Sequence, residues 1–478
     1  MSKRFTGMML SLFLIVTVVL SACGNNDNGN ENAAASAKES TPVSSSSPAA
    51  SAASGVDPNE SAELTLWATP NGILKDGEKP GEWIAQDLIP EFNKLYPNVK
   101  INVELVPFDG IQEKVSVATA SNTLPNLLFD VANRILPLAQ LGVVEPLDDI
   151  LTPEDLKGVR SKPDLMKFVS LNDQIVIMPL AAVPVTMLVN KSLWEAKGAL
   201  DLLPQDELRT WTLDEFKKAL QAVADPSTGT YGFTMYAMNE QGDELYNNTM
   251  MTHGVKLFNE DYTEYTAAAD PKSEEVLAFF RSLVDEGLVA PNPETLSTTN
   301  ANDYFFQGKN GIIVAAPAVV QTIKSKIADG SIKEPFDYMF VNFPSETKGK
   351  SGIKLSLGYG TVFKKENADE VKWSKIFFEW AINKTDIYFN GLKQMKTIGD
   401  APSWTNEDPE WQFLSKLLGQ VGEWPLIDPL TKVKGFPEMR AAMYPEMQRL
   451  FIDDDTTPKA TIDTISGKFN DIIKKYKK

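Results

Sequence analysis

One cysteine, Cys23, serves the whole 478-residue chain, so no intrachain disulfide can form. Zinc sites built from several thiolates are excluded for the same reason. A stable fold must therefore come from a hydrophobic core, and the chain is long enough for two or three domains that contain one. The place of Cys23 adds a second constraint. Lys3 and Arg4 precede an uncharged run, Phe5 to Ala22, dominated by Met, Leu, Ile, Val and Phe, which closes on Leu20-Ser21-Ala22-Cys23. A positive start, an apolar stretch and small residues before a cut site mark an export leader. No second apolar run reaches membrane-spanning length.

The Leu-Ser-Ala-Cys ending resembles the bacterial lipoprotein signal. That resemblance implies removal of residues 1–22 and attachment of diacylglycerol and a palmitate-like chain to Cys23, which leaves no free thiol for catalysis. Two or more acyl chains hold a protein stably on a bilayer. The expected location is the extracytoplasmic face of the cell membrane; an uncleaved apolar anchor is the alternative. Residues 23–61 are rich in Asn, Ser, Ala and Gly, with runs such as Ser44-Ser45-Ser46-Ser47, and read as a disordered tether. The formal charge of −18 argues against nucleic acid and against a polybasic membrane surface; it fits solubility and identifies no ligand.

From Ala62 the chain alternates strand-like and helix-like stretches. Leu64-Thr65-Leu66-Trp67 reads as a strand, residues 83–96 as a helix with Ile84, Leu88, Phe92 and Leu95 on one stripe, and Val99 to Leu105 as an alternating strand. A second helix over 111–120 and the strand Leu127-Leu128-Phe129 complete a βαβαβ start, which implies a parallel, doubly wound α/β sheet. The same grammar returns at Val185 to Val189. Thr212-Leu213-Asp214-Glu215 reads as a capping box, Asp270-Pro271 starts another helix, and Trp373, Phe377, Trp380 and Ala381 share one helical face that reads as core.

Glu91-Phe92-Asn93-Lys94-Leu95-Tyr96-Pro97-Asn98-Val99-Lys100-Ile101, Leu124-Pro125-Asn126-Leu127, Leu138 to Leu147, Met178-Pro179-Leu180 with Val189-Asn190-Lys191, Thr210 to Phe216, and Phe306-Gln307-Gly308-Lys309 follow the opening strand in a fixed order. In that order they resemble the family 1 extracellular solute-binding proteins, which include maltose- and oligosaccharide-binding lipoproteins. Asn126 and Val189 depart from the family's usual Asp and Tyr. The resemblance implies a two-lobed, periplasmic-binding-protein-like fold, each lobe a doubly wound sheet, joined by multiple crossover strands near residues 183, 313 and 361. Lobe one is expected at 62–182 plus 314–359 and lobe two at 187–312 plus 364–478. It also implies a sugar or oligosaccharide ligand between the lobes, the permease subunits of an ABC importer as partner, a monomer, and no cofactor or metal.

Sugars offer apolar faces to aromatic rings and hydroxyl rims to Asp, Asn, Glu and Arg, and clefts in such sheets form at strand ends. Trp67 with Asn71 after the first strand reads as a stacking platform, or as a core Trp. Asp130, Asn133 and Arg134 read as hydroxyl recognition, or Asp130 as a helix cap. Tyr236, Asn239 and Tyr246 read as a cleft wall or ordinary surface. Tyr359, between two glycines, marks a crossover, and Trp404 lies in a loop able to cap the cleft. A secreted glycoside hydrolase and a surface lipoprotein without a small ligand are the competing functions. The enzyme reading has little to draw on: His253 is the one histidine, and there is no Gly-x-Ser-x-Gly and no P-loop.

Overall fold

The computed structural model describes residues 56–478 apart from 76, 350–353, 358, 359, 385, 397–401, 407, 420–432 and 478. The leader, Cys23 and Tyr359 lie outside the described residues. The strands are β1 (Ala62–Ala68), β2 (Val99–Leu105), β3 (Leu127–Phe129), a small hairpin of β4 (Ser170–Leu171) and β5 (Gln174–Ile175), β6 (Ala181–Asn190), β7 (Tyr231–Phe233), β8 (Asn310–Ala315), β9 (Tyr338–Val341), β10 (Lys354–Leu357), β11 (Thr361–Val362) and β12 (Met395–Lys396).

Leu64, Leu66 and Ala68 are fully buried while Glu63 and Thr65 are exposed, the two-residue period of a strand with one face on a core. β1 runs parallel to both β2 and β3, as the βαβαβ pattern requires, and β11 closes the other edge antiparallel to β3. The first sheet has the order β11-β3-β1-β2. The helix expected over 83–96 forms in two parts, a π-helical turn Ile84–Leu88 and an α-helix Ile89–Asn93. Pro90 accounts for the change of winding, since it has no N–H to bond back into the preceding turn. Ile84, Leu88 and Phe92 are buried as their spacing predicts.

β6 joins the two halves of the molecule. Its first residues, Ala181 to Val185, pair with β12 and β10; Thr186 to Asn190 pair with β8 and β9. From β10 on this strand the chain passes to β11 in the first sheet, so a crossing lies close to residue 361. Near residue 313 no change of sheet occurs, because β8 and β9 on either side of helix Val319–Ala328 both pair with β6.

The second core gathers around helices Leu213–Val223, Asp243–Thr252 and Pro271–Asp285. The capping box forms: Glu215 N donates to Thr212 Oγ1 at 3.2 Å and Thr212 N donates to Glu215 Oε2 at 3.0 Å. Asp270 caps the amide of Lys272, and Gly287, at φ +66°, ends the helix that follows. Helices Phe436–Ile452 and Pro458–Tyr476 pack into the same core.

Residues 364–478 do not stay together. Helix Ala368–Ile382 lies on β1, with Phe377 and Trp380 edge-on to Phe92 at 5.1 and 5.2 Å and Trp373 edge-on to Tyr96 at 5.1 Å. The sequence expectation that assigned this stretch to the second lobe is corrected by that packing: an amphipathic face reveals that a helix is buried, not which sheet it covers. Among the described residues no helix is long and apolar enough to cross a membrane.

Candidate ligand-binding site

The two cores meet along a polar seam. On the first side, β3 ends at Phe129 and the chain turns into helix Ala132–Gln140. Asp130, at the turn, is fully buried and takes the Arg134 guanidinium with both carboxylate oxygens, one from Nε and one from Nη2. The helix-cap reading of Asp130 is thereby replaced, because the cap position falls to Val131, whose side chain caps nothing. Asn133, 9 % exposed, leaves its buried Oδ1 without a protein partner. The Arg134 guanidinium lies 5.9 Å from the ring centre of Phe108, at the start of helix Phe108–Ser121.

Phe108 and Asp109 are where the other half arrives. Gln241 Nε2 donates to the Phe108 carbonyl at 3.3 Å, Asn239 Nδ2 to Asp109 Oδ1 at 3.1 Å and Thr299 Oγ1 to Asp109 Oδ2 at 3.3 Å. Beyond Gln241, Arg440 of helix 436–452 donates from Nε and Nη2 to the two oxygens of Asp243 at 2.7 and 2.8 Å, and from Nη2 to the Glu240 carbonyl at 3.1 Å. Arg440 is 2 % exposed, and its Nη1 has no protein partner. Burial alone would lower its pKa, but the Asp243 carboxylate more than offsets this, so the guanidinium is held more firmly charged than in water. Asn247, one turn along from Asp243, also buries an unpartnered Oδ1. Gly242 is needed at this point: a Cβ there would meet the Tyr236 carbonyl at 2.3 Å.

Of the residues singled out in the sequence, Asp130 and Arg134 pair with each other, Arg134 lies over Phe108, and Asn239 bonds Asp109 from the other half. Tyr236 and Tyr246 belong to the interior instead. Tyr246, 1 % exposed, donates its hydroxyl to the Tyr236 carbonyl at 3.0 Å, and burial pushes both phenols far up. Trp404 is buried and edge-on to Trp411 at 5.0 Å. Asn71 is exposed and holds Trp83 Nε1 through its backbone carbonyl. Trp67 is half-buried and lines a shallow pocket of about 440 Å³ with Gly110, Glu113, Lys114, Val117, Ala118 and Thr123, all from the first half. Lys114 Nζ sits 4.3 Å from its ring centre, and Gly110 links the pocket to Asp109. Truncating the ring as Trp67→Ala should leave the melting temperature of the free protein almost unchanged and weaken sugar binding by about 1–3 kcal/mol, on the scale of one aromatic contact. Calorimetric affinity with an unliganded melt checks this; a large fall in melting temperature at unchanged affinity would take Trp67 out of the site.

Phe108, Asp109, Gln241, Asp243, Thr299 and Arg440 were not singled out from sequence. Arg440 lies beside the buried stripe of Phe436, Met439, Met443 and Met447, as does Glu446. His253, the residue an enzyme reading would need, is buried in the second core with Nε2 3.5 Å from Glu275. No cluster of His, Cys, Asp and Glu suited to a metal ion occurs among the described residues.

Two halves meeting on a polar seam are the architecture the motif order implied, and the family model named bacterial extracellular solute-binding protein matches residues 76–386. The chain belongs to that family. A binding protein of Brucella abortus is 26 % identical over 230 residues, which is 48 % of this chain and 53 % of the relative. The chain thus spans about half the length of the curated relatives it matches. Two solved solute-binding proteins share the two-lobed fold. The ABC transporter solute-binding protein of Thermotoga lettingae, bound with α-D-tagatose, superposes with a TM-score of 0.68 at 19 % identity over 86 % of this chain and all of that one. The ABC substrate-binding protein of Listeria monocytogenes, in complex with cycloalternan, gives 0.69 at 17 % over 87 % of this chain and all of that one. Both are named as solute- or substrate-binding proteins of ABC transporters.

Proposed function

We propose that this solute-binding protein captures a carbohydrate, an oligosaccharide above all, at the seam between its lobes and delivers it to the permease of an ABC importer. The observation that carries the reading is the seam itself. Both halves contribute buried polar side chains, and Asn133, Asn247 and Arg440 retain hydrogen-bonding capacity that no protein group uses. Such atoms occur elsewhere in the two cores as well; those at the seam are ones a ligand rich in hydroxyls would satisfy. The bound tagatose and cycloalternan of the two structural neighbours support the ligand class. A ligand touching both lobes binds the closed arrangement better than the open one, and that difference drives closure.

Catalysis is not part of the proposal. A glycosidase needs one carboxyl to give a proton and another to act as base or nucleophile. The two buried carboxylates of the seam, Asp130 and Asp243, each have both oxygens held by an arginine. A panel of oligosaccharides followed by melting temperature and by product analysis tests the reading. A binder melts higher and releases nothing; new reducing ends would favour the hydrolase, and no shift with any carbohydrate would count against the sugar.

We place the protein on the extracytoplasmic face through lipid on Cys23. Cys23→Ala should shift it from the membrane fraction to the soluble one or stall its export, read by fractionation and immunoblot. Unchanged membrane retention would favour an uncleaved anchor.

A further inference from the structure

We infer that the outer edge of β2 docks a second copy of this chain. Two β2 strands pair antiparallel about a twofold axis at Asn102 and join the first sheets of two subunits. The inference does not depend on what binds at the seam, and it departs from the monomer that the family resemblance implies.

β2 ends the order of the first sheet and pairs with β1 alone. Val106 N donates to the Ala68 carbonyl at 2.9 Å. Successive residues of a strand turn their N–H and C=O groups to opposite sides, so the even-numbered residues of β2 face β1 and the odd-numbered ones face outward. Val99 N is taken by the Tyr96 carbonyl, but the groups that Ile101 and Val103 turn outward have no partner among the described residues. Neither proline nor glycine interrupts Val99–Leu105. Such an edge is a template for another extended chain.

The sequence of the strand selects which chain. Val99-Lys100-Ile101-Asn102-Val103-Glu104-Leu105 has the same polarity read from either end. Run antiparallel about Asn102, it sets Ile101 opposite the second copy's Val103 and Lys100 opposite its Glu104. Ile101 and Val103 carry the outward groups, so each such pair exchanges both backbone hydrogen bonds. Lys100 and Glu104 fall at the alternate positions, where facing side chains stand closer. Within one subunit Lys100 already bonds Glu63 at 2.8 Å, and Glu104 bonds Lys114 of helix Phe108–Ser121; both pairs lie at the surface. Pairing therefore lines up charges that alternate in sign: Glu63, Lys100, then the second copy's Glu104 and Lys114. Opposite charges across strands favour a pairing and like charges oppose it. Moving the axis to Ile101 or Val103 loses this match. Val103 and Leu105, half-buried at the edge, gain cover in the pair. A twofold contact of this kind closes on itself, so assembly stops at two. It engages the first lobe only and leaves the second free to move.

Sedimentation of the full chain over a concentration series should show a monomer–dimer equilibrium. Val103→Pro deletes an outward donor and no bond to β1, and should weaken the dimer about tenfold, the scale of the hydrogen bonds lost on its two sides. Lys100→Glu, a change at an exposed position, covers the case in which Val103→Pro misfolds; it puts like charges face to face and should weaken the dimer as much. Disulfide trapping locates the axis. In a Cys23→Ala background, Asn102→Cys should cross-link to its own copy, since residues opposed at such a position have Cα atoms about 4.5 Å apart, within disulfide reach. Lys100→Cys, about 13 Å along the strand from its own copy, should cross-link only when mixed with Glu104→Cys. A parent that stays monomeric throughout would overturn the inference. So would a dimer that withstands both Val103→Pro and Lys100→Glu, or Lys100→Cys cross-linking to itself while Asn102→Cys does not.

Discussion

Asp243→Ala is expected to lower the unfolding free energy of the second lobe by about 3–5 kcal/mol, because it removes the hydrogen-bonded counter-ion of the buried Arg440 charge. Arg440 is 2 % exposed, and both of its carboxylate bonds, 2.7 and 2.8 Å, go to Asp243. Its third hydrogen bond, to the Glu240 carbonyl, is neutral and cannot balance a full charge. The effect belongs to the broken pair and not to either residue. Asp243→Leu combined with Arg440→Met should therefore recover most of the loss, since two well-packed apolar side chains often replace a buried ion pair without penalty. Urea unfolding followed at the tryptophans measures all three proteins. A single variant as stable as the parent would mean that water already reaches the guanidinium.

The second large effect is expected at Trp373→Ala, which removes a 1 %-exposed indole from between helix 368–382 and the first sheet. Deleting a buried Trp typically costs about 3–5 kcal/mol through lost transfer energy and the cavity left behind. The location of the damage is as informative as its size. Trp373 packs edge-on to Tyr96, just ahead of β2, and its helix covers β1. Hydrogen exchange should accelerate in β1 and β2 while helices 436–452 and 458–476 keep their protection. Accelerated exchange confined to those two C-terminal helices would return this segment to the second lobe.

That segment shows where reading the sequence stopped. Period and caps are local properties, so β1, β2, β3, the capping box at Thr212 and the helix begun by Asp270 could be read from a few residues each. The partner of an apolar face is a long-range property. Nothing within 368–382 distinguishes Phe92 of the first lobe from the helices of the second. The site divides in the same way. Asp130, Asn133 and Arg134 follow a strand end, a position the parallel sheet makes conspicuous, and Asp130 and Arg134 pair there. Asp243 and Arg440 are far apart in sequence, each on the surface of its own helix pattern, and only the fold brings them into one ion pair. Tyr236 and Tyr246, read as a cleft wall or surface, and Trp404, read as a cleft cap, are buried; large rings are also what fills a core most effectively.

Small-angle scattering of the full chain, free and saturated with a neutral oligosaccharide from the binding panel, tests the central claim most directly. Ligand held between two lobes must favour their closed arrangement, so the radius of gyration should fall on saturation, and Asp109→Ala, which removes the acceptor for Asn239 and Thr299, should blunt the fall. An unchanged radius at saturation in both proteins would contradict capture by closure of the seam.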